Sequence, residues 1–147
     1  MNGNPISVAF VCVQNAGRSQ MAAGFAHRER HERGLDHAIE VHCGGTDPAE
    51  QVHGVVVDAM AAVDIDLSGE DPRHISREEL LAMDIVITMG CSVEDVCPAT
   101  WRGDARDWQL DDPAGKPIEE VRSIRNEIER RTRALFDELE VEVRPND

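Results

Sequence analysis

The chain has 147 residues, 41% of them hydrophobic, which suits one compact domain over residues 1–147 with one core. Fifteen Lys and Arg stand against 29 Asp and Glu, so the net charge is −14. This balance argues against nucleic-acid binding, which needs a basic face for the phosphates. No apolar run is long enough to span a bilayer, and residues 1–5 lack the basic start of a secretory signal. We therefore expect a cytoplasmic monomer that binds neither nucleic acid nor membrane.

The kinds of charged residue matter as much as the net charge. Lys116 is the only lysine in the chain. An acidic, lysine-poor surface is typical of proteins from salty surroundings, and an ordinary acidic protein would show it equally well. In either case, a pocket for an anion must depend on positive charge supplied locally.

Hydrophobic patterning in the first third of the chain predicts a strand, a helix and a second strand. Residues 6–12 form a short, β-branched apolar run, which predicts a buried strand. Residues 18–33 carry apolar side chains at helical spacing, and Gly34 is expected to close this helix. Residues 38–43 predict the second strand, which the glycine pair at 44–45 is expected to end.

The middle of the chain continues the alternation. Residues 52–63 predict a helix, and residues 64–75 a polar loop. Ser76 followed by Glu79 is a capping-box pattern, which predicts the start of a short helix. Residues 84–89 are apolar and predict a third buried strand.

The last part of the chain predicts a weak fourth strand over residues 106–110 and a long amphipathic helix over residues 119–139. One apolar stripe runs along that helix, formed by Val121, Ile124, Ile128, Leu135 and Leu139. Strands that alternate with helices imply a parallel sheet covered on both faces, an α/β fold of three layers. Ligands of such sheets bind beyond the carboxyl ends of the strands. Cys12 and Cys91 both follow strands, so we expect them at the same edge.

The segment after the first strand has the composition of an anion-binding loop. It consists of Cys12, Val13, Gln14, Asn15, Ala16, Gly17, Arg18 and Ser19. Its backbone N–H groups and the helix N-terminus can surround a tetrahedral anion, and the Arg18 fork can bind two of its oxygens. The same positive field favours a nucleophilic thiolate at Cys12, to which Ser19 can donate a hydrogen bond. The alternative is a buried cysteine at a strand end, followed by an arginine that caps a helix.

Four cysteines in a reducing compartment point to catalysis, metal binding or burial rather than to structural disulfides. They are Cys12, Cys43, Cys91 and Cys97. No pair has the spacing usual for zinc, so we expect no metal site. Cys43 lies within the second predicted strand, and we expect it to be structural.

Several segments together resemble the low-molecular-weight tyrosine phosphatase fold, and more closely the arsenate reductases built on that fold. These segments are residues 11–22, residues 88–91 (Thr-Met-Gly-Cys), Cys97-Pro98 and residues 108–115 (Trp-Gln-Leu-Asp-Asp-Pro-Ala-Gly). The resemblance covers nearly the whole chain. It implies a four-stranded parallel sheet flanked by helices, in agreement with the patterning.

The resemblance also implies roles for individual residues. Cys12 would be the nucleophile and Arg18 the oxyanion clamp, while Asp112 would protonate the departing oxygen. Cys91 and Cys97 would be relay thiols. No tightly bound cofactor is implied; the electrons would come from thioredoxin, glutaredoxin or a low-molecular-weight thiol.

The sequence departs from this family at three positions. Gly17 stands where some members have a second loop cysteine. Ala23 replaces an acidic residue that helps to bind potassium in some thioredoxin-linked reductases, so we expect no such site. Ala114 stands where the phosphatases usually have a tyrosine that stacks on substrate rings, and this chain contains no tyrosine at all.

Three functions remain open on the sequence. The first is reduction of arsenate to arsenite through Cys12, Cys91 and Cys97. The second is hydrolysis of phosphomonoesters, including phosphotyrosine, through a cysteinyl phosphate. The third is a catalytically inactive regulator that binds an oxyanion or arsenite, which intact Cys12, Arg18 and Asp112 disfavour.

Each role also has a plain structural alternative. Cys91 and Cys97 could be one buried and one incidental cysteine. Asp112 could simply begin a turn before proline, and Asp111 is a lesser candidate for the acid. Trp101 and Trp108 are expected to be packing residues.

Overall fold

The computed structural model describes residues 5–90, 96, 101 and 103–143. Its strands are β1 (Ile6–Cys12), β2 (Ile39–Gly45), β3 (Ile85–Met89) and β4 (Asp104–Asp107). Its helices are α1 (Arg18–Glu32), α2 (Gly54–Ala61), α3 (Arg77–Leu81) and α4 (Ile118–Val143). The predicted alternation of strands and helices is confirmed.

The four strands form one parallel sheet in the order β2-β1-β3-β4. The last residue of β1, Cys12, pairs with Gly45 at the end of β2 and with Met89 at the end of β3. The carboxyl ends of three neighbouring strands therefore meet at one edge, with Cys12 in the middle.

Helices cover both faces of the sheet, which confirms the three-layer α/β fold. Phe10 and Cys12 point into a core shared with α1, α2 and α4, while Ala9 and Val11 pack with Leu80 of α3 on the opposite face. The predicted stripe of α4 is buried along its whole length. Burial contributes roughly 1.5–3 kcal/mol for each large apolar side chain, so these faces stabilise most of the fold.

Local signals in the sequence place several helix ends correctly. Gly34 follows the last turn of α1 with a φ of 67°, in the left-handed region that glycine adopts without strain. Ser76 and Glu79 form the predicted capping box, since each side chain accepts a hydrogen bond from the other residue's backbone N–H.

Three predicted boundaries are wrong. Strand β2 continues through the glycine pair that was expected to end it, and α2 begins only at Gly54 because His53 is still extended (ψ 133°). Strand β4 begins two residues and ends three residues earlier than predicted, because its pairing with β3 sets Asp104 against Ile85. Three of its four residues are charged and three are exposed, so no apolar pattern marks this edge strand.

Among the described residues, no helix combines the length and the apolar character that crossing a bilayer requires.

Candidate active site

The loop between β1 and α1 is held by a neighbouring segment, residues 46–53. Four backbone N–H groups of that segment donate to loop carbonyl oxygens at 2.8–3.3 Å; the acceptors are Cys12, Val13, Gln14 and Ala16. In a trans peptide the C=O and N–H groups point in opposite directions. Because residues 46–53 hold the loop carbonyls away from the centre of the loop, the N–H groups of the same peptides point towards its centre. One of them, the N–H of Asn15, points at the Cys12 Sγ at 3.2 Å.

The close contact between β2 and the loop requires glycine. A Cβ on Gly45 would lie 2.5 Å from the Val13 carbonyl oxygen and 3.0 Å from the Asn15 nitrogen. A Cβ on Gly44 would lie 2.6 Å from the Cβ of Ile75. The glycine pair predicted to end a strand instead lets the loop lie directly on it.

A buried polar network fixes the direction of the hydrogen bond to the nucleophile. Asn15 has a φ of 50°, and its Oδ1 accepts from the backbone N–H of Arg73 at 3.0 Å and from Gln20 at 3.2 Å. Its Nδ2 must then face Ser19, and it donates to the Ser19 Oγ at 2.7 Å. The Ser19 hydroxyl hydrogen is left to point at the Cys12 Sγ, 2.8 Å away. The Ser19 hydroxyl and the Asn15 N–H are thus both placed to donate to the Cys12 Sγ, which is 3% exposed.

Arg18 reaches across the same edge of the sheet. Its Nη1 donates to the Leu110 carbonyl oxygen at 3.0 Å, and its Nη2 lies 3.7 Å from Asp112 Oδ2. Gly90, with a φ of 83°, lies against the guanidinium: a Cβ there would be 2.5 Å from Arg18 Nη1. The end of β3 thus contacts the predicted clamp directly.

Asp112 lies at the mouth of the site. Its Oδ1 accepts from the N–H of Ala114 at 3.0 Å in a short turn, and its side chain is 57% exposed. The next residue, Pro113, packs on the loop, because a Cβ on Gly17 would lie 2.8 Å from the Pro113 Cγ. Asp111 is exposed and does not line the cavity.

These residues surround a cavity of about 270 Å³. It is lined by Cys12, Val13, Gln14, Ala16, Gly17, Arg18, His53, Gly90 and Asp112. The structure thus brings the predicted loop, clamp and acid together. Asn15 and Ser19 lie behind the cavity wall, and Cys91 and Cys97 lie outside the described residues.

Sequence reasoning missed His53 and Gly90. Gly90 lies in the segment 88–91 that carries the family resemblance, although no role was assigned to it there. No local pattern marks His53, which reaches the loop only through the fold.

The other predicted packing residues can also be placed. Burial raises the pKa of the Cys43 thiol, although a hydrogen bond with Asn15 and the charge of Arg73 act in the opposite direction. Trp108 is 8% exposed, and its ring centroid lies 5.7 Å from that of Phe10. Trp101 donates to the carbonyl of Met83 at 2.9 Å. All three side chains are absent from the lining of the cavity.

Comparison with known proteins agrees with this geometry. The family model described as low molecular weight phosphotyrosine protein phosphatase matches residues 7–145. A protein of Halobacterium salinarum named putative arsenate reductase is 53% identical over 130 residues, which are 88% of this chain and 90% of that protein.

Two further relatives carry more specific names. One from Synechocystis, named glutaredoxin arsenate reductase, is 33% identical over 90% of this chain and 97% of its own length. The solved structure of a thioredoxin-dependent arsenate reductase from Corynebacterium glutamicum superposes with a TM-score of 0.75 at 32% identity. That match covers 96% of this chain and 65% of the Corynebacterium chain.

The match extends over nearly all of the chain, and the cavity lies where the sheet topology of this fold places ligands. The chain therefore belongs to the low-molecular-weight phosphotyrosine protein phosphatase family of enzymes, and its relatives there include proteins named arsenate reductases.

Proposed function

We propose that this protein reduces arsenate to arsenite with electrons from an external thiol. One observation carries the proposal: Cys12, Arg18 and Asp112 line a single cavity whose loop turns its N–H groups inward. An oxyanion in this cavity would meet a nucleophile, a bidentate cation and a proton donor. The names of the relatives support arsenate as that oxyanion.

The first step forms a bond between Cys12 and arsenic. The Cys12 thiolate attacks As(V), and one hydroxyl group of arsenate departs. Asp112 gives that group a proton, so that it leaves as water. Arg18 and the loop N–H groups bind the oxygens that remain and stabilise the charge that develops on them.

The second step reduces arsenic, and it needs another thiol. The thiolate of Cys91 attacks the Cys12 Sγ, the S–As bond breaks, and its electron pair stays on arsenic, which leaves as arsenite. The two sulfurs are oxidised to a Cys12–Cys91 disulfide. Cys97 then attacks Cys91, which releases the Cys12 thiolate and forms a Cys91–Cys97 disulfide. Support for Cys91 comes from its neighbour Gly90, which lines the cavity and contacts Arg18.

An external dithiol or two small thiols must then reduce the last disulfide. The relatives named for thioredoxin and glutaredoxin support a protein thiol as the donor. A low-molecular-weight thiol would close the cycle by the same exchange chemistry.

Hydrolysis of phosphomonoesters is the second candidate. Cys12, Arg18 and Asp112 are sufficient for it, because water completes the cycle and no second thiol is needed. Among the described residues, no Phe or Trp side chain lines the cavity to stack on a substrate ring, which favours a small oxyanion over phosphotyrosine.

The Cys91→Ser and Cys97→Ser variants separate the two activities. We expect both to abolish thioredoxin- or glutaredoxin-driven arsenite production and to spare phosphate release from a chromogenic ester. After one turnover, Cys97→Ser should retain a Cys12–Cys91 disulfide that mass spectrometry detects. Cys91→Ser should stop at the Cys12 adduct unless a small thiol replaces it, in which case turnover follows the concentration of that thiol.

Cys43→Ser is the matched control, since Cys43 does not line the cavity, and it should keep arsenate turnover. Full thioredoxin-driven reduction by the Cys91→Ser/Cys97→Ser double variant would refute the relay. Phosphate release without any arsenite production by the unmodified protein would favour the phosphatase.

A further inference from the structure

We infer that His53 contacts the substrate, and that its protonated imidazole supplies a second positive charge to the oxyanion held by Cys12 and Arg18. This role rests on the proposed function, because the anion concerned is the one bound in that cavity. His53 lies 35 residues beyond Arg18 in the chain, and no sequence motif links the two.

The backbone of His53 is fixed on both sides. Its N–H donates to the Ala16 carbonyl oxygen of the loop at 2.9 Å. Its own carbonyl oxygen accepts from Val56 and Val57 at 3.0 Å each and so begins helix α2. The backbone of His53 is therefore anchored to the anion loop and to a helix at once, and its side chain lines the cavity.

The imidazole is free to interact with a ligand. His53 is the N-cap residue of α2, yet its side chain makes no capping bond. Within the described part of the chain it also makes no other hydrogen bond or ion pair, and it lines the cavity. A Cβ on Gly17 would lie 3.6 Å from the His53 Cδ2, so the ring rests beside the bare backbone of the loop.

The charged groups around the cavity leave little net positive charge for a bound oxyanion, which a protonated His53 would add. Of the residues that the structure describes, Cys12, Arg18 and Asp112 are the titratable and charged groups that share the cavity with it. Arg18 is partly neutralised by Asp112 at 3.7 Å, and the chain as a whole carries −14. The nearby chain adds only acids: Asp47 and Glu50 precede His53, and Asp58 follows it on α2. A divalent oxyanion placed here would draw a proton onto the imidazole.

The direct test follows the ring signals of the histidines by NMR as pH is varied, with and without saturating inorganic phosphate. The signal that His53→Asn removes identifies His53. We expect phosphate to move the midpoint of its titration upward by about one pH unit, because a nearby dianion favours the imidazolium. The signal of His37 should not move, since His37 is exposed just before β2, at the opposite edge of the sheet.

The kinetic test uses the same variant. His53→Asn keeps a good N-cap residue and removes the charge. We expect its KM for arsenate to rise about tenfold near pH 6 and to approach the unmodified value near pH 8.5, with kcat changed by less than about twofold. His37→Asn should leave KM unchanged at both pH values.

The possible failures are distinguishable. If phosphate shifts the signals of the loop but not that of His53, the role of His53 is wrong and the oxyanion site stands. A loss in His53→Asn that is equal at both pH values would show a structural role and overturn the inference. If phosphate shifts neither loop nor His53 signals, both the inference and the proposed function fail.

Discussion

At the scale of single residues, the planar fork of Arg18 matters more than its charge. The guanidinium is oriented by the Leu110 carbonyl and by contact with Gly90, so it can present two parallel N–H groups to an anion. We expect Arg18→Lys to lower kcat/KM for arsenate by about a hundredfold or more, because lysine keeps the charge and loses the bidentate geometry. Near-normal kinetics in a normally folded variant would show that Arg18 does not clamp the anion.

The hydroxyl of Ser19 has a similarly specific effect on Cys12. At about pH 6.5, we expect iodoacetamide to label Cys12 rapidly and Cys43 slowly, because burial raises the pKa of Cys43. Ser19→Ala should slow the labelling of Cys12 about tenfold, since a hydrogen bond to a charged group is worth about 1.5–3 kcal/mol. Peptide mass spectrometry measures both rates in one sample. Equal labelling of the two cysteines would contradict this view of the site.

At the scale of elements, the anion loop depends on its contact with β2. Gly45→Ala should destabilise the protein by about 1–3 kcal/mol, because the new Cβ would overlap the Val13 carbonyl and force the loop away. Phosphate binding should weaken as well. Gly69→Ala is the control, since a Cβ there meets nothing within 4 Å. Denaturant unfolding and phosphate titration of both variants test this; equal behaviour would contradict it.

Helix α4 contains a carboxylate whose contribution should depend on pH. Hydrogen bonds from Arg130 and Arg131 lower the pKa of Glu127 to about 2 from 4.5. The unfolded chain binds the proton first as pH falls, so the stabilisation is complete above about pH 5 and disappears as pH approaches 2. Because solvent screens this surface site, Glu127→Gln should cost only about 0.5 kcal/mol at pH 7.

Denaturant unfolding at several pH values measures that difference. It should shrink steadily as pH falls below 5, and it should be absent when Arg130 and Arg131 are both replaced by Gln. A difference that stays constant with pH would show that Glu127 acts through something other than its charge.

At the scale of the whole molecule, two electrostatic effects oppose each other. Repulsion within a net charge of −14 destabilises the folded state, whereas ion pairs join the helices. Arg33, for example, binds Glu29, Asp137 and Glu140 at 2.9–3.2 Å and ties α1 to α4. Pairs with an exposed carboxylate, such as Arg33 with Asp137, contribute little, about 0–1 kcal/mol each.

We therefore expect screening of the repulsion to dominate. The midpoint of thermal unfolding should rise when KCl is increased from 0.1 M to 2 M, because the Debye length falls from about 10 Å to about 3 Å or less. Scanning calorimetry at both salt concentrations measures the change. A lower midpoint at high salt would mean that the ion pairs contribute more than the repulsion costs.

The sequence by itself determined the elements that local physics controls. Strands β1 and β3 are continuous apolar runs, the stripe of α4 repeats at helical spacing, and Gly34 and Ser76 mark helix ends through their own backbone chemistry. Strand β4 was misplaced because its charged residues are held only by pairing with β3. The glycine pair of β2 was misread because its need for glycine comes from the loop lying on it.

In the site, too, some features follow from the local sequence and others only from tertiary contacts. Cys12 and Arg18 stand in one short segment between a predicted strand and a predicted helix, and the spacing in that context predicts an anion loop. The structure places Asp112 3.7 Å from Arg18, and the role that the family resemblance implies for Asp112 stays a prediction. Only the tertiary structure brings His53 and Gly90 to the cavity, because each arrives on a different element and is held by contacts with residues distant in sequence. Contacts between residues distant in sequence leave no periodic or local pattern in the chain. The register of the parallel sheet decides which strand ends lie side by side, here the ends of β2, β1 and β3.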